Sequence, residues 1–143
     1  MSDPKSPLSL SLLSEKILSA AKKAGAESAD SMVASGSSTN VDVRNGALEL
    51  AERAEGSDIG LRVFIGQKQA MVSGSDISDR TIEEMAERAI AMAKEAPDDP
   101  HAGLATSDQH ATSWDIEALE LHDNSPEPSA ALLEEEARSV EVA

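Results

Sequence analysis

The chain has no cysteine and no tyrosine, one phenylalanine, one tryptophan, and only 12 basic residues against 27 acidic ones in 143. Without a thiol there is no disulfide framework, no thiolate zinc site and no cysteine nucleophile, and a reducing cytoplasm is the expected compartment. Phe64 and Trp114 are the whole aromatic inventory, too little for a platform that stacks nucleobases. A formal charge of −15 repels phosphate backbones and anionic headgroups. It argues against duplex DNA and a membrane surface as direct partners, and leaves basic proteins and cationic peptides. No apolar run reaches the roughly 18 to 20 residues of a spanning helix, and the start Met1-Ser2-Asp3-Pro4-Lys5 is not a basic segment leading into an apolar one. The length suits one domain. Leu, Ile, Val and Phe together make up just under a fifth of the chain, which with this charge is a composition at the edge of disorder.

What is present is unevenly placed. Residues 75–143 hold 18 of the acidic groups and 4 of the basic ones. Ahead of them, Leu10, Leu13, Ile17, Ala20, Ala21 and Ala24 recur at helical spacing and predict a helix over about 9–24, stopped by Gly25. The period then changes to two. Val41 and Val43, then Leu48 and Leu50, alternate with polar residues on either side of Asn45-Gly46, a dipeptide suited to the positive φ angles of a type I′ turn, so 39–44 and 47–54 read as a hairpin.

Ile59, Leu61, Val63 and Ile65 share one face of a further strand over 59–65, with Gly60, Arg62 and Phe64 on the other. A return strand is expected over 67–73, with Ala70 and Val72 facing the core, and a weaker one over 31–35. A strong amphipathic helix follows, built on Ile82, Met85, Ala86, Ala89, Ile90 and Ala93. Thr81 and Glu84 fit a capping box at its start, Ser78 is a rival cap, and Pro97 closes it. The expected fold is α+β: an antiparallel meander of four to five strands covered by two helices, with an acidic C-terminal extension ending in a helix. The expected organisation is an α+β domain over 8–96 and a Pro-interrupted acidic extension over 97–143. That last helix, about 128–140, carries only a thin stripe of Leu133, Ala137 and Val140 and needs a partner surface to stay ordered.

Chemistry-bearing patterns are sparse. His101, His110 and His122 are the only histidines; their long spacing places no two on one helix face, so they read as solvated loop residues rather than metal ligands. Asp98-Asp99, Glu83-Glu84 and Glu134-Glu135-Glu136 read as solvated carboxylates, with no apolar surroundings to split their pKa values. Ser19 with Lys22, and Ser2 with Lys5, match a bare S-x-x-K pattern without its companion motifs. Gly56, Gly60, Gly66 and Gly74 form neither a Walker loop nor a dinucleotide fingerprint. No catalytic, cofactor-binding or metal-ligating residue is assigned. Arg62 and Phe64 leave two readings of their sheet face: cover by a second helix or by the chain's own C-terminal stretch, or docking of another domain or subunit.

The strings Val41-Asp-Val-Arg-Asn-Gly-Ala-Leu-Glu-Leu, Gly60-Leu-Arg-Val-Phe-Ile-Gly-Gln-Lys-Gln-Ala and Ser73-Gly-Ser-Asp-Ile-Ser78, followed by the helix and Asp98-Asp-Pro-His-Ala-Gly-Leu-Ala105, resemble the N-terminal domain of the TldD/PmbA family. This family is also called modulator of DNA gyrase, and the last string is closer to its PmbA (TldE) branch. The resemblance covers about 10–105. It implies a cytoplasmic, non-catalytic N-terminal module of a PmbA/TldE-like subunit that pairs with a TldD-like subunit in a metallopeptidase heterodimer, a protease acting on unfolded peptides. It further implies zinc in the partner's HExxxH helix, no cofactor in this chain, and a chain that is an N-terminal fragment. The other reading is a stand-alone acidic protein-binding module without peptidase association. The two part at the surface: the first needs an apolar or strand-edge surface left open, the second a closed core and a pocket of converging polar groups.

Overall fold

The computed structural model describes residues 7–123 and 125–141. Helix α1 (Pro7–Ala24) leads into strands β1 (Ser28–Arg44), β2 (Ala47–Ile65) and β3 (Lys68–Gly74); helix α2 (Asp79–Glu95), a 3₁₀ turn at Ser107–Gln109 and helix α3 (Ala130–Glu141) follow. The strands lie in the order β1-β2-β3, so the α+β class and the meander hold. The sheet has three strands, not four to five. The stretches 31–35 and 39–44 belong to the single strand β1, and 47–54 and 59–65 to the single strand β2. Gly36-Ser37-Ser38 and Gly56-Ser57-Asp58 look like breaks because they lack apolar alternation. Ladder hydrogen bonds come from the backbone, however, and small side chains leave an extended chain free to continue.

The chain divides into two compact units, one formed by residues up to Gly36 with Glu55–Ala105, the other by Ser37–Ala54 with the residues from Thr106 onward. The first unit contains the core. Leu61 pairs with Val72 and Val63 with Ala70 across β2 and β3. Ile59, Leu61, Val63 and Val72 meet Ile17 and Ala21 of α1 and Ile82, Met85, Ala86, Ala89, Ile90 and Ala93 of α2. Alanines at these helix positions bring the backbones close. Gly25, at φ +106, ends α1, and the Ala26 N–H closes back on the Ala21 carbonyl at 3.0 Å. Helix α2 starts one turn earlier than the capping box suggests. Ser78 is its N-cap, accepting from the Thr81 N–H, while the Asp76 carboxylate takes the Ser78 N–H at 2.9 Å and the Thr81 hydroxyl at 2.6 Å.

The second unit contains the hairpin end and α3. Asn45 and Gly46 both have positive φ, 53° and 70°, as the turn requires. The Glu141 carboxylate accepts from both of their backbone N–H groups, at 2.6 and 2.7 Å. Glu127 accepts from Arg53 at 3.1 Å and from Ser37 at 3.3 Å. Ser129 caps α3 through the Leu132 N–H. Leu133 and Ala137 of the thin stripe are half-buried and Val140 is exposed. Among the described residues no helix is long and apolar enough to cross a membrane.

Candidate functional site

Alternation along the strands of the first unit sends one set of side chains into the core and leaves the other on the opposite sheet face. There Arg62 stands opposite Met71 and Gly60 opposite Ser73. Arg62 reaches the carboxylate of Asp30 on β1 with both Nε and Nη2, the Nε contact at 3.0 Å. Beside that pair, Gly60 leaves a floor so low that a Cβ built on it would sit 3.9 Å from the Met32 Cβ. The result is a predominantly apolar groove of about 500 Å³ between Met32, Ala34, Gly60 and Met71, with Asp58 at its rim. Met32 is 74 % exposed and Met71 70 %. Two large thioether side chains standing in water on either side of a glycine floor form an unsatisfied apolar surface. Its charged lining groups are Asp58 and the paired Asp30 and Arg62, and its hydroxyls are those of Ser31 and Ser73; the rest of the lining is apolar, a surface suited to contact.

The same face is closed at its other end. Phe64 is only 2 % exposed although it lies away from the core cluster, and the Arg62 guanidinium sits 5.1 Å from its ring centroid. Its cross-strand neighbour Gln69 donates to Asp99, whose backbone N–H donates in turn to the Gln67 carbonyl at 2.8 Å. The chain beyond Pro97 is thus tied to this end. At the Phe64 end the chain's own later segment covers this face, through Asp99, while the Met32 and Met71 end stays exposed. Placing Ala70 and Val72 toward the core puts Met71 beside Arg62.

The other residues weighed from sequence do not converge. His101, His110 and His122 are exposed on irregular segments, and among the described residues no three His, Asp or Glu groups are placed to hold a metal. The donor set therefore does not fit a zinc ion, and no hydrolytic step is derived through one. Ser19 and Lys22 are exposed on α1, while Ser2 and Lys5 lie outside the described residues. Glu83 and Glu84 are exposed along α2. In the second unit a recess of about 420 Å³ lies between Thr39, Val41, Asp42, Leu50, Glu52 and Leu133.

Residues 29–93 match the family described as PmbA/TldA metallopeptidase domain 1. A metalloprotease PmbA homolog of Haemophilus influenzae is 36 % identical over 102 residues, 71 % of this chain and 22 % of that protein. Residues 29–93 place this chain in the TldD/PmbA family. Solved structures agree on the fold. A candidate modulator of DNA gyrase from Bacteroides thetaiotaomicron superposes with a TM-score of 0.68 at 15 % identity, over 77 % of this chain and 24 % of its own. TldE from Thermococcus kodakarensis gives 0.66 at 15 %, over 91 % and 28 %. The chain spans 22 to 28 % of the length of these three proteins.

Proposed function

We propose that this chain is the non-catalytic N-terminal module of a PmbA/TldE-like subunit. In this reading it pairs with a TldD-like subunit in a cytoplasmic metallopeptidase complex that degrades or matures unfolded peptides. The zinc and the hydrolytic groups belong to the partner. The observation that carries the reading is the open Met32 and Met71 groove on a TldD/PmbA first domain. A module that acts by docking needs an apolar surface left uncovered, and burying two such side chains contributes roughly 1.5 to 3 kcal/mol each. The acidic field supports the absence of nucleic acid and membrane from the partner list.

The test is co-purification with a TldD-type subunit, followed by zinc-dependent cleavage of an unfolded peptide by each component alone and by the two together. The chain alone is expected to bind no stoichiometric zinc and to cleave nothing, and the pair is expected to associate. Met32→Asp combined with Met71→Asp removes that association while leaving the fold intact, because both side chains are exposed. Unchanged association of the double variant overturns the docking role of the groove. Failure of the parent chain to associate favours the stand-alone protein-binding module.

A further inference from the structure

The chain has no cysteine, so its thioethers are its softest nucleophiles. Of the methionines whose surroundings are described, Met85 is sealed in the core at 2 % exposure, Met92 stands on α2 at 47 %, and the two most exposed, Met32 at 74 % and Met71 at 70 %, flank the same groove. A methionine at a docking surface is apolar and adaptable, and its sulfoxide is a polar group with a strong acceptor oxygen. On Met71 that oxygen would form on the cross-strand neighbour of Arg62, the residue that holds Asp30 at the groove's edge.

We propose that Met32 and Met71 are a paired methionine-sulfoxide modification site that switches off docking at this groove. The inference rests on the docking reading given above and adds its regulation. The oxidant is a hydroperoxide. A sulfur lone pair attacks one peroxide oxygen and the O–O bond breaks. The sulfur is oxidised by two electrons to the sulfoxide, and the second oxygen leaves as water, or as an alcohol from an organic peroxide. Sulfoxide reductases, which transfer that oxygen to water at the cost of two thiols becoming a disulfide, restore the thioether, one enzyme for each sulfur epimer. Each sulfoxide buried without a partner group weakens association about tenfold, so the modified pair lowers it about a hundredfold.

The experiment treats the full chain with limiting hydrogen peroxide and follows each methionine by peptide mapping. Met32 and Met71 gain oxygen early, while Met85 gains it only when the chain unfolds. The oxidised chain loses affinity for a TldD-type subunit about a hundredfold and regains it after treatment with both reductases. Met32→Leu combined with Met71→Leu, measured against its own untreated affinity, is indifferent to peroxide, although Met92 is still oxidised. Binding of a neutral solvatochromic dye to the groove gives a second readout that requires no partner subunit and falls on oxidation of the parent chain only. Oxidised parent chain that still binds subunit and dye, or a Leu variant that peroxide inactivates equally, overturns the switch. Unoxidised chain that binds the dye but no TldD-type subunit overturns the docking reading instead, and the dye then decides the modification site by itself.

Discussion

Gly60 and Leu61 are neighbours with opposite jobs. A Cβ at Gly60 would meet only Met32, at 3.9 Å, which is ordinary van der Waals contact. Gly60→Val therefore leaves stability within about 0.5 kcal/mol or raises it, since glycine is a poor strand residue. The added methyls fill the groove floor, so the expected result is an unchanged or higher melting temperature with weakened co-purification. Leu61, buried against both helices, behaves the other way. Leu61→Ala costs about 2 to 5 kcal/mol in denaturant unfolding, through lost transfer energy and a residual cavity. The alternation over 59–65 was enough to assign these two residues to opposite faces. It did not reveal that Phe64 is buried on the polar side, because its surroundings depend on Arg62 beside it and on a segment anchored by Asp99, thirty residues beyond Gln69. Met32 leaves no such trace, because Met32, Val33 and Ala34 are consecutive apolar residues and no alternation marks their faces.

Helices were the most legible elements. The spacing of Ile17 and Ala21, and of Ile82, Met85, Ala89 and Ala93, named the buried stripes of α1 and α2 correctly, because one wet and one dry face leave a periodic trace. The start of α2 was decided by Asp76, which lies outside the helix and outside that trace. Its carboxyl is held below the usual range, first by the Thr81 hydroxyl and then by the backbone and hydroxyl of Ser78. A carboxyl depressed in the folded chain stabilises fully above its unfolded value of about 3.9, and that contribution is lost as the pH falls through the lower folded value. Acid titration of helicity in the parent chain should therefore show a component below pH 4 that Asp76→Asn lacks. Ser78→Ala, which removes the cap itself, costs about 1 kcal/mol at neutral pH. Strand ends were the least legible, since a glycine-serine stretch gives the same signal whether the chain turns or runs straight on.

At the scale of the whole molecule the net charge of −15 acts as self-repulsion. The ion pairs that offset it, such as Arg53 with Glu127 and Arg80 with Glu84, are exposed and worth little each. Raising ionic strength from roughly 0.01 to 0.15 M shortens the screening length from about 30 to about 8 Å, so the melting temperature is expected to rise over that range. A flat or falling salt dependence would show that the exposed pairs outweigh the repulsion. The charge total was readable directly from composition. The grouping of 37–54 with the C-terminal residues was not, because its polar contacts, such as Arg53 to Glu127, 74 positions apart, leave no pattern in the sequence.

One of those contacts sets how the protein ages. Asn-Gly is the peptide sequence most prone to deamidation: the glycine nitrogen attacks the asparagine side-chain carbonyl carbon, a succinimide ring closes, and ammonia leaves. In this chain the attacking nitrogen is that of Gly46, and its N–H is held at 2.7 Å by the Glu141 carboxylate, while the φ angles of the turn are fixed on both sides of the bond. The hairpin tip is thereby chemically guarded by the last turn of a helix 95 positions away. Glu141→Ala, stored at mildly alkaline pH and followed by intact mass, is expected to convert Asn45 to aspartate and isoaspartate faster than the parent chain, adding one more negative charge to a molecule already crowded with them.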